Sequence, residues 1–328
     1  MTRIAAIVVG IAGAVIMPWF VTSDYYINVM SQVLISAILA MGLNILVGYV
    51  RLMSLAHAAI LGVASYGAAI LLKGGYGHAA AAAMGLSAAM LTAATVAALA
   101  LRATGIGFLM ITLACGQIIW GMAYRWIGLT EGDNGINVAV RPEIFGLSLA
   151  SPTAFYLFTL VVFLLAFASI AIFVASPFGV SLCGTRDQPR RMSALGYDVW
   201  VIQFLAFLFS GFWAGVSGLL FLYYNQYVSP QVMSLSASAE ALLMVIVGGA
   251  GTLVGPLIGA VIVVIVKNVV SAYVVHWNIV LGGVFVIIMM FMPSGLVPGM
   301  LGLLARMRAT ESSSISRAEL SLTGRKAQ

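Results

Sequence analysis

Few of the chain's 328 residues are of types that do chemistry. Asn44, Ser54, His57, Gln117, Glu240 and Lys267 stand in or beside apolar runs, while Arg186, Asp187, Arg190 and Arg191 crowd one polar stretch, residues 176–198. Hydrolytic or metal chemistry needs a nucleophile beside a base, or ligands at fixed spacing. The chain has no HExxH, no GxSxG and no Cys/His cluster. Cys115 lies in an apolar run and Cys183 in the polar stretch, which makes no disulfide framework. Gly-Lys never occurs, so a phosphate-cradling nucleotide loop cannot be built. Catalysis, a metal and a cofactor are therefore not expected. A proton- or sodium-coupled carrier usually needs carboxylates at membrane depth, and Glu240 is the sole acidic candidate there.

The elements that position these residues follow from composition. Hydrophobic residues make up 62% of the chain and charged residues 7%, against about 25% charged in soluble domains. A surface facing water cannot be built from so few charges, so the expected fold is an all-α polytopic membrane protein. Apolar runs predict about ten transmembrane helices, at 1–20, 27–49, 54–72, 78–101, 105–124, 152–175, 199–223, 240–248, 257–275 and 279–292. The first run resembles a signal peptide in its single charge, Arg3, but it ends in Pro18-Trp19-Phe20 without a small-residue cleavage site and reads as a retained span. The net charge of +6 raises nucleic acid as a partner, and the placement of the charges argues against it. With both termini cytoplasmic, eleven basic residues fall inside and three (Lys73, Arg125, Arg141) outside, with Lys267 in a span. Residues 1–295 thus form a transmembrane domain, and the serine-rich segment 296–328 reads as a disordered cytoplasmic tail.

Glycine-rich segments break the spans in both halves: Gly42 to Tyr49 followed by Met53 to Ala58, and Glu240 to Gly251 followed by Thr252 to Gly259. Irregular backbone at membrane depth survives only where protein or water covers it. The breaks are therefore either a translocation path, with Asn44, Ser54, His57, Gly248 and Gly249 as its candidate residues, or two tight inter-helix turns. His57 either lines that path or satisfies a carbonyl. Asn44 and Gln117 either glue helices or touch a ligand. Glu240 reads as an interface residue, and Lys267 either snorkels or pairs inside the bundle. Residues 128–137 form either an external contact or a solvated loop.

Residues 176–198 are expected to hold one short helix, from about Pro189 to Leu195. Gln188-Pro189 fits a helix start and Leu195-Gly196 a stop, while Pro177 and Gly179 end the run before it. The stretch is either a charged loop that sets topology or a docking surface.

GLNILVGYVRLMSLAHAAILGVASYGAAIL, residues 42–71, resembles the N-terminal signature of permeases of branched-chain amino acid ABC importers. SPFGVSLCGTRDQPRRMSALGYDVWVIQFLAFLFSGFWAGVSGLLF, residues 176–221, resembles that family's cytoplasmic loop and following span, and EALLMVIVGGAGTLVGPLIGA, residues 240–260, its third signature. Ser-Leu-x-His-Ala at residues 54–58 is more similar to the second permease of the heterodimer than to the first. Val180, Cys183 and Gly184 depart from the more basic or alkyl side chains common there. The resemblance implies a multi-pass subunit of the cell inner membrane that performs no ATP hydrolysis itself. Its implied partners are a homologous permease, two cytoplasmic ATP-binding subunits and an external binding protein. It also implies that 176–198 carries a coupling helix against an ATPase, with Arg186, Asp187, Pro189, Arg190, Arg191, Leu195 and Gly196 in that contact. The loop's backbone would be the lever, and most of its charge would fix topology. Leucine, isoleucine and valine are the implied cargo; importers of urea, amides and other amino acids share the same blocks.

Overall fold

The computed structural model describes residues 23–138, 143–144, 147–273, 277–292 and 295–299. The expected first span, Arg3, Arg141 and residues 300–328 of the expected tail, with their five basic residues, lie outside the described residues. The principal helices are α1 (Asp24–Asn44), α2 (His57–Lys73), α3 (His78–Ala100), α4 (Ile106–Arg125), α5 (Pro152–Ala175), α6 (Pro177–Asp187), α7 (Pro189–Ala194), α8 (Val199–Asn225), α9 (Leu235–Gly248), α10 (Gly255–Ser271) and α11 (Trp277–Phe291). A π-helical turn, Ile45–Val50, continues α1 and ends at Arg51 in the left-handed region. Among the described residues five helices are long and apolar enough to cross a membrane: α1 with its π turn, α3, α4, α5 and α8. Three shorter apolar helices, α2, α9 and α10, pack with them. The chain is an all-α, multi-pass membrane protein.

The core sits around α1, which is buried along most of its length and packs against α5, α8, α9 and α10. A second set, α2, α3 and α8, is held by small residues. Ala81, Gly85, Ala89, Ala93 and Ala97 recur every fourth position on α3 and are all buried, a stripe facing α2 and α8. Lipid tails are as apolar as leucine, so burial alone does not drive helices together in a bilayer; close approach and interhelical hydrogen bonds do. Gly85 shows why the stripe must be small, since a Cβ there would lie 2.5 Å from Ala64 O, and Gly218 of α8 is as confined, with a Cβ 2.1 Å from Leu61 O. Beside it Ser65 Oγ donates to Gly218 O at 2.7 Å, and Ser217 Oγ donates to Ile35 O at 2.9 Å.

The structure departs from the sequence expectations at five places. The helix expected from 54 starts at His57, because Ser54–Ala56 is occupied in side-chain bonds described below. The segment expected from 240 starts at Leu235, where Ser234 Oγ accepts from Ala237 N at 3.3 Å; the serines at 236 and 238 hide that start from a hydrophobicity pattern. Residues 176–198 hold two helices where one is expected. Pro177 opens α6 rather than breaking the chain, because Ser176 caps it through Gly179 N and proline suits the first turn. Residues 128–137 are solvated only in part: Thr130, Gly132, Gly135 and Ile136 are buried while Asp133, Asn134 and Asn137 are exposed, and Ile136–Asn137 pairs antiparallel with Tyr227–Val228. Residues 296–299, expected in the tail, are helical.

Candidate functional site

The two glycine-rich breaks, about two hundred residues apart in sequence, meet at one end of the bundle. Gly48, in the π turn, lies against Gly251; a Cβ on Gly48 would sit 2.2 Å from Gly251 N and 2.6 Å from Asn44 Oδ1. Asn44 stitches the contact as a backbone strand would. Its Nδ2 donates to Thr252 O at 2.9 Å and its Oδ1 accepts from Gly251 N at 2.9 Å. The second break takes backbone angles that suit glycine, with φ of +111° at Gly249 and +82° at Gly251. Gly248 closes it, since a Cβ there would lie 1.9 Å from Gly255 O. We call this contact the glycine seam.

His57 and Ser54 lie next to it, both fully buried. Their hydrogens can be assigned by following donors. Ser210 Oγ donates to Gly42 O at 2.6 Å, so at its 2.7 Å contact with His57 Nε2 it must accept. The Nε2–H tautomer leaves Nδ1 to accept from Ser54 Oγ at 3.0 Å, and Ser54 Oγ in turn accepts from Ala56 N at 3.3 Å. A neutral imidazole thus joins α2 to α8 and, through Ser210, to α1. Ser210→Ala strands a buried N–H, which costs about 1–3 kcal/mol. The purified Ser210→Ala protein is expected to melt at lower temperature than wild type; an unchanged melting curve would contradict the assigned relay.

The stretch 176–198 folds back on the same end. Arg186 of α6 donates from Nη1 to Gly48 O at 3.3 Å, and from Nε and Nη2 to the two carboxylate oxygens of Asp187 at 2.8 and 3.2 Å. That bond holds the Asp187 carboxyl below its ordinary range. Pro189 opens α7 as expected, and the helix ends at Ala194, with Leu195 as its cap and Gly196 at φ +89°. Arg190 and Arg191 are exposed, and Leu195 (73% exposed), Val180 (70%) and Tyr197 add an apolar surface around them.

Toward the opposite end lies a cavity of about 390 Å³ between α1, α2, α8, α9 and α10, within the usual range for small-molecule sites. Glu240 and Lys267 both line it and pair at 2.9 Å (Oε2 to Nζ). Asn268 Nδ2 donates to Gln32 Oε1 at 3.0 Å beside them, and Gln32 also lines the cavity. Glu240 thus faces the cavity, and Lys267 pairs with it within the bundle. None of Asn44, Ser54, His57, Gly248 and Gly249 lines this cavity; they lie between it and the arginine-bearing end. Gln117 is half-buried on α4 and does not line the cavity.

Ser210, Thr252 and the Arg186–Gly48 bond escape sequence reasoning, because each depends on a partner far along the chain. The pairing of Glu240 with Lys267 had one available signal, two opposite charges in the apolar C-terminal third.

Comparison with known proteins agrees with this architecture. A family model described as branched-chain amino acid transport system / permease component matches residues 25–292. The chain is similar to the high-affinity branched-chain amino acid transport system permease protein LivM of Salmonella typhimurium and of Escherichia coli K12. Each is 26% identical over 310 residues, covering 85% of this chain and 71% of the relative. It is also similar to the permease protein LivH of the same description from Escherichia coli K12, 23% identical over 296 residues, covering 80% of this chain and 90% of that one. No solved structure matches the chain. With the match running from the start of α1 to the end of α11, across the seam, the Arg186–Gly48 bond and the cavity, the chain belongs to the branched-chain amino acid transport system permease component family.

Proposed function

We propose that this chain is the membrane-spanning permease half of an ATP-binding cassette importer that carries leucine, isoleucine and valine across the cell inner membrane. Its partners are a homologous permease, two cytoplasmic ATP-binding subunits and an external substrate-binding protein, all within or against the lipid bilayer. The chain crosses about ten times with both termini and residues 176–198 inside, a topology favoured by the eleven-to-three distribution of basic residues. The Ser-Leu-x-His-Ala run at residues 54–58 favours the second-permease role, and the identity to LivM, 26% against 23% for LivH, favours a LivM-like subunit.

The observation that carries this reading is the Arg186 bond to Gly48 O. It ties the exposed α7, with cationic and apolar side chains around it that nothing else in the described chain covers, through the half-buried α6 to the place where the two broken segments touch. A nucleotide-driven movement of an ATPase gripping α7 would pass through α6 to Gly48 and lift it from Gly251. Asn44, Ser54, His57, Gly248 and Gly249 then act as the closed inner gate rather than as ligand contacts. Each hydrogen bond across the seam is worth about 1 kcal/mol net, so the gate is firm yet reversible. Permeation itself involves no covalent chemistry.

The test is uptake by the complex in proteoliposomes. Leucine, isoleucine and valine are expected to accumulate only with ATP and the binding protein present, and an ATP-binding subunit is expected to co-purify with the chain. Uptake by the chain alone driven by an ion gradient would refute the ATP-driven reading. Carriage of urea with leucine ignored would refute the cargo.

A further inference from the structure

We infer that the Glu240–Lys267 pair is where the two charges of a zwitterionic amino acid are recognised as it passes through the membrane. This rests on the reading of the chain as an amino acid permease, and it assigns the contact point within the path.

Ionised side chains at membrane depth are costly, and the bundle does not need this pair to hold α9 against α10. Those helices already interlock by backbone contact, since a Cβ on Gly259 would lie 1.8 Å from Met244 O and one on Gly248 lies as close to Gly255 O. The ion pair is placed instead on the wall of the cavity, with the Lys267 side chain 38% exposed and Glu240 15% exposed. Two opposite charges side by side present no net charge, so they would not concentrate a simple cation or anion. They present a dipole, and the matching ligand carries an ammonium for Glu240 and a carboxylate for Lys267 in reversed order. Urea and amides lack both charges and would leave the pair without purpose.

The surroundings fit the rest of such a molecule. Gln32, oriented by Asn268, and the serines Ser234 and Ser236 line the same cavity. Met244 follows Glu240 by one turn of α9, and Val264 precedes Lys267 by nearly one turn of α10, both about 5 Å further toward the seam. With Leu39 and Leu61 they line the cavity as an apolar wall for an alkyl side chain. The glycine seam then lies below the bound ligand, where an inner gate is required.

The experiment uses the whole complex in proteoliposomes with saturating leucine-loaded binding protein. Glu240→Gln and Lys267→Met are each expected to lower the maximal leucine uptake rate by about tenfold, the scale of one charge-assisted hydrogen bond. Co-purification with the partner subunits and nucleotide hydrolysis are expected to persist. The exchanged pair, Glu240→Lys with Lys267→Glu, restores a salt bridge but turns its dipole around, and uptake is expected to stay low. Wild-type uptake in the exchanged variant would make the pair a brace between helices and overturn the proposal, as would normal uptake in both single variants. If the wild-type complex carries urea and not leucine, the cargo reading fails and the site falls with it. Leucine uptake that is normal in wild type and unaffected in the variants removes the site alone.

Discussion

Gly48→Ala is expected to reduce leucine uptake by the assembled complex about tenfold or more, with nucleotide hydrolysis continuing. The added methyl would sit 2.2 Å from Gly251 N and 2.6 Å from both Gly251 Cα and Asn44 Oδ1. Two of those three atoms are backbone, so no side-chain end can swing aside to make room. Either the π turn or the 249–254 break must shift, and either movement pulls Asn44 off Thr252 O or Gly251 N. Overpacking of this kind costs about 1–3 kcal/mol, and a bias of that size moves a two-state gate by about 5–150-fold. Gly77→Ala is the control: a Cβ there meets nothing within 4 Å and its φ of −65° suits any residue, so uptake is expected to match wild type. Normal uptake by Gly48→Ala would show that the seam does not move during transport.

The second large effect is expected at Arg186. Arg186→Ala removes the bond to Gly48 O and frees the Asp187 carboxylate, leaving α7 and its exposed arginines in place. The ATP-binding subunits are therefore expected to co-purify at wild-type levels while the leucine carried per ATP hydrolysed falls about fivefold or more, the lower range of a coupling energy between two sites. Arg186→Lys separates the tether from simple charge. Lysine keeps the positive charge that orients the loop, but a single ammonium cannot reproduce a planar fork serving Gly48 and Asp187 together. Transport by Arg186→Lys is expected to be impaired. If it equals wild type, Arg186 sets topology only and the force reaches the seam by another route.

These two variants also show where sequence legibility ends. Gly48 and Gly251 are each visible as members of broken segments, and Arg186 as one of three guanidinium groups in six residues. Local chemistry carries that much: Gln188-Pro189 marks the start of α7, Gly196 marks its stop, and the span from Pro152 to Ala175 is bounded by its own cap and end. The same local rules misplace a boundary when polar residues obscure a helix, as at Leu235, or when an X-Pro pair reads equally as break and start, as at Pro177. The serines and the buried histidine were visible, but their partners were not.

The low charge content, the long apolar runs and the distribution of arginines determined by themselves that this chain lives in a bilayer as helices, with its breaks at defined positions. Tertiary structure alone decided that Gly48 touches Gly251, that Arg186 reaches Gly48 O, that His57 answers Ser210 and that Glu240 finds Lys267. The reason is physical. In a membrane a residue facing lipid and one facing another helix are equally apolar, so a helix such as α1 has no polar stripe to announce which side is inward. Register is set instead by the close approach of small residues and by hydrogen bonds between distant backbones, and those exist only once the helices have met.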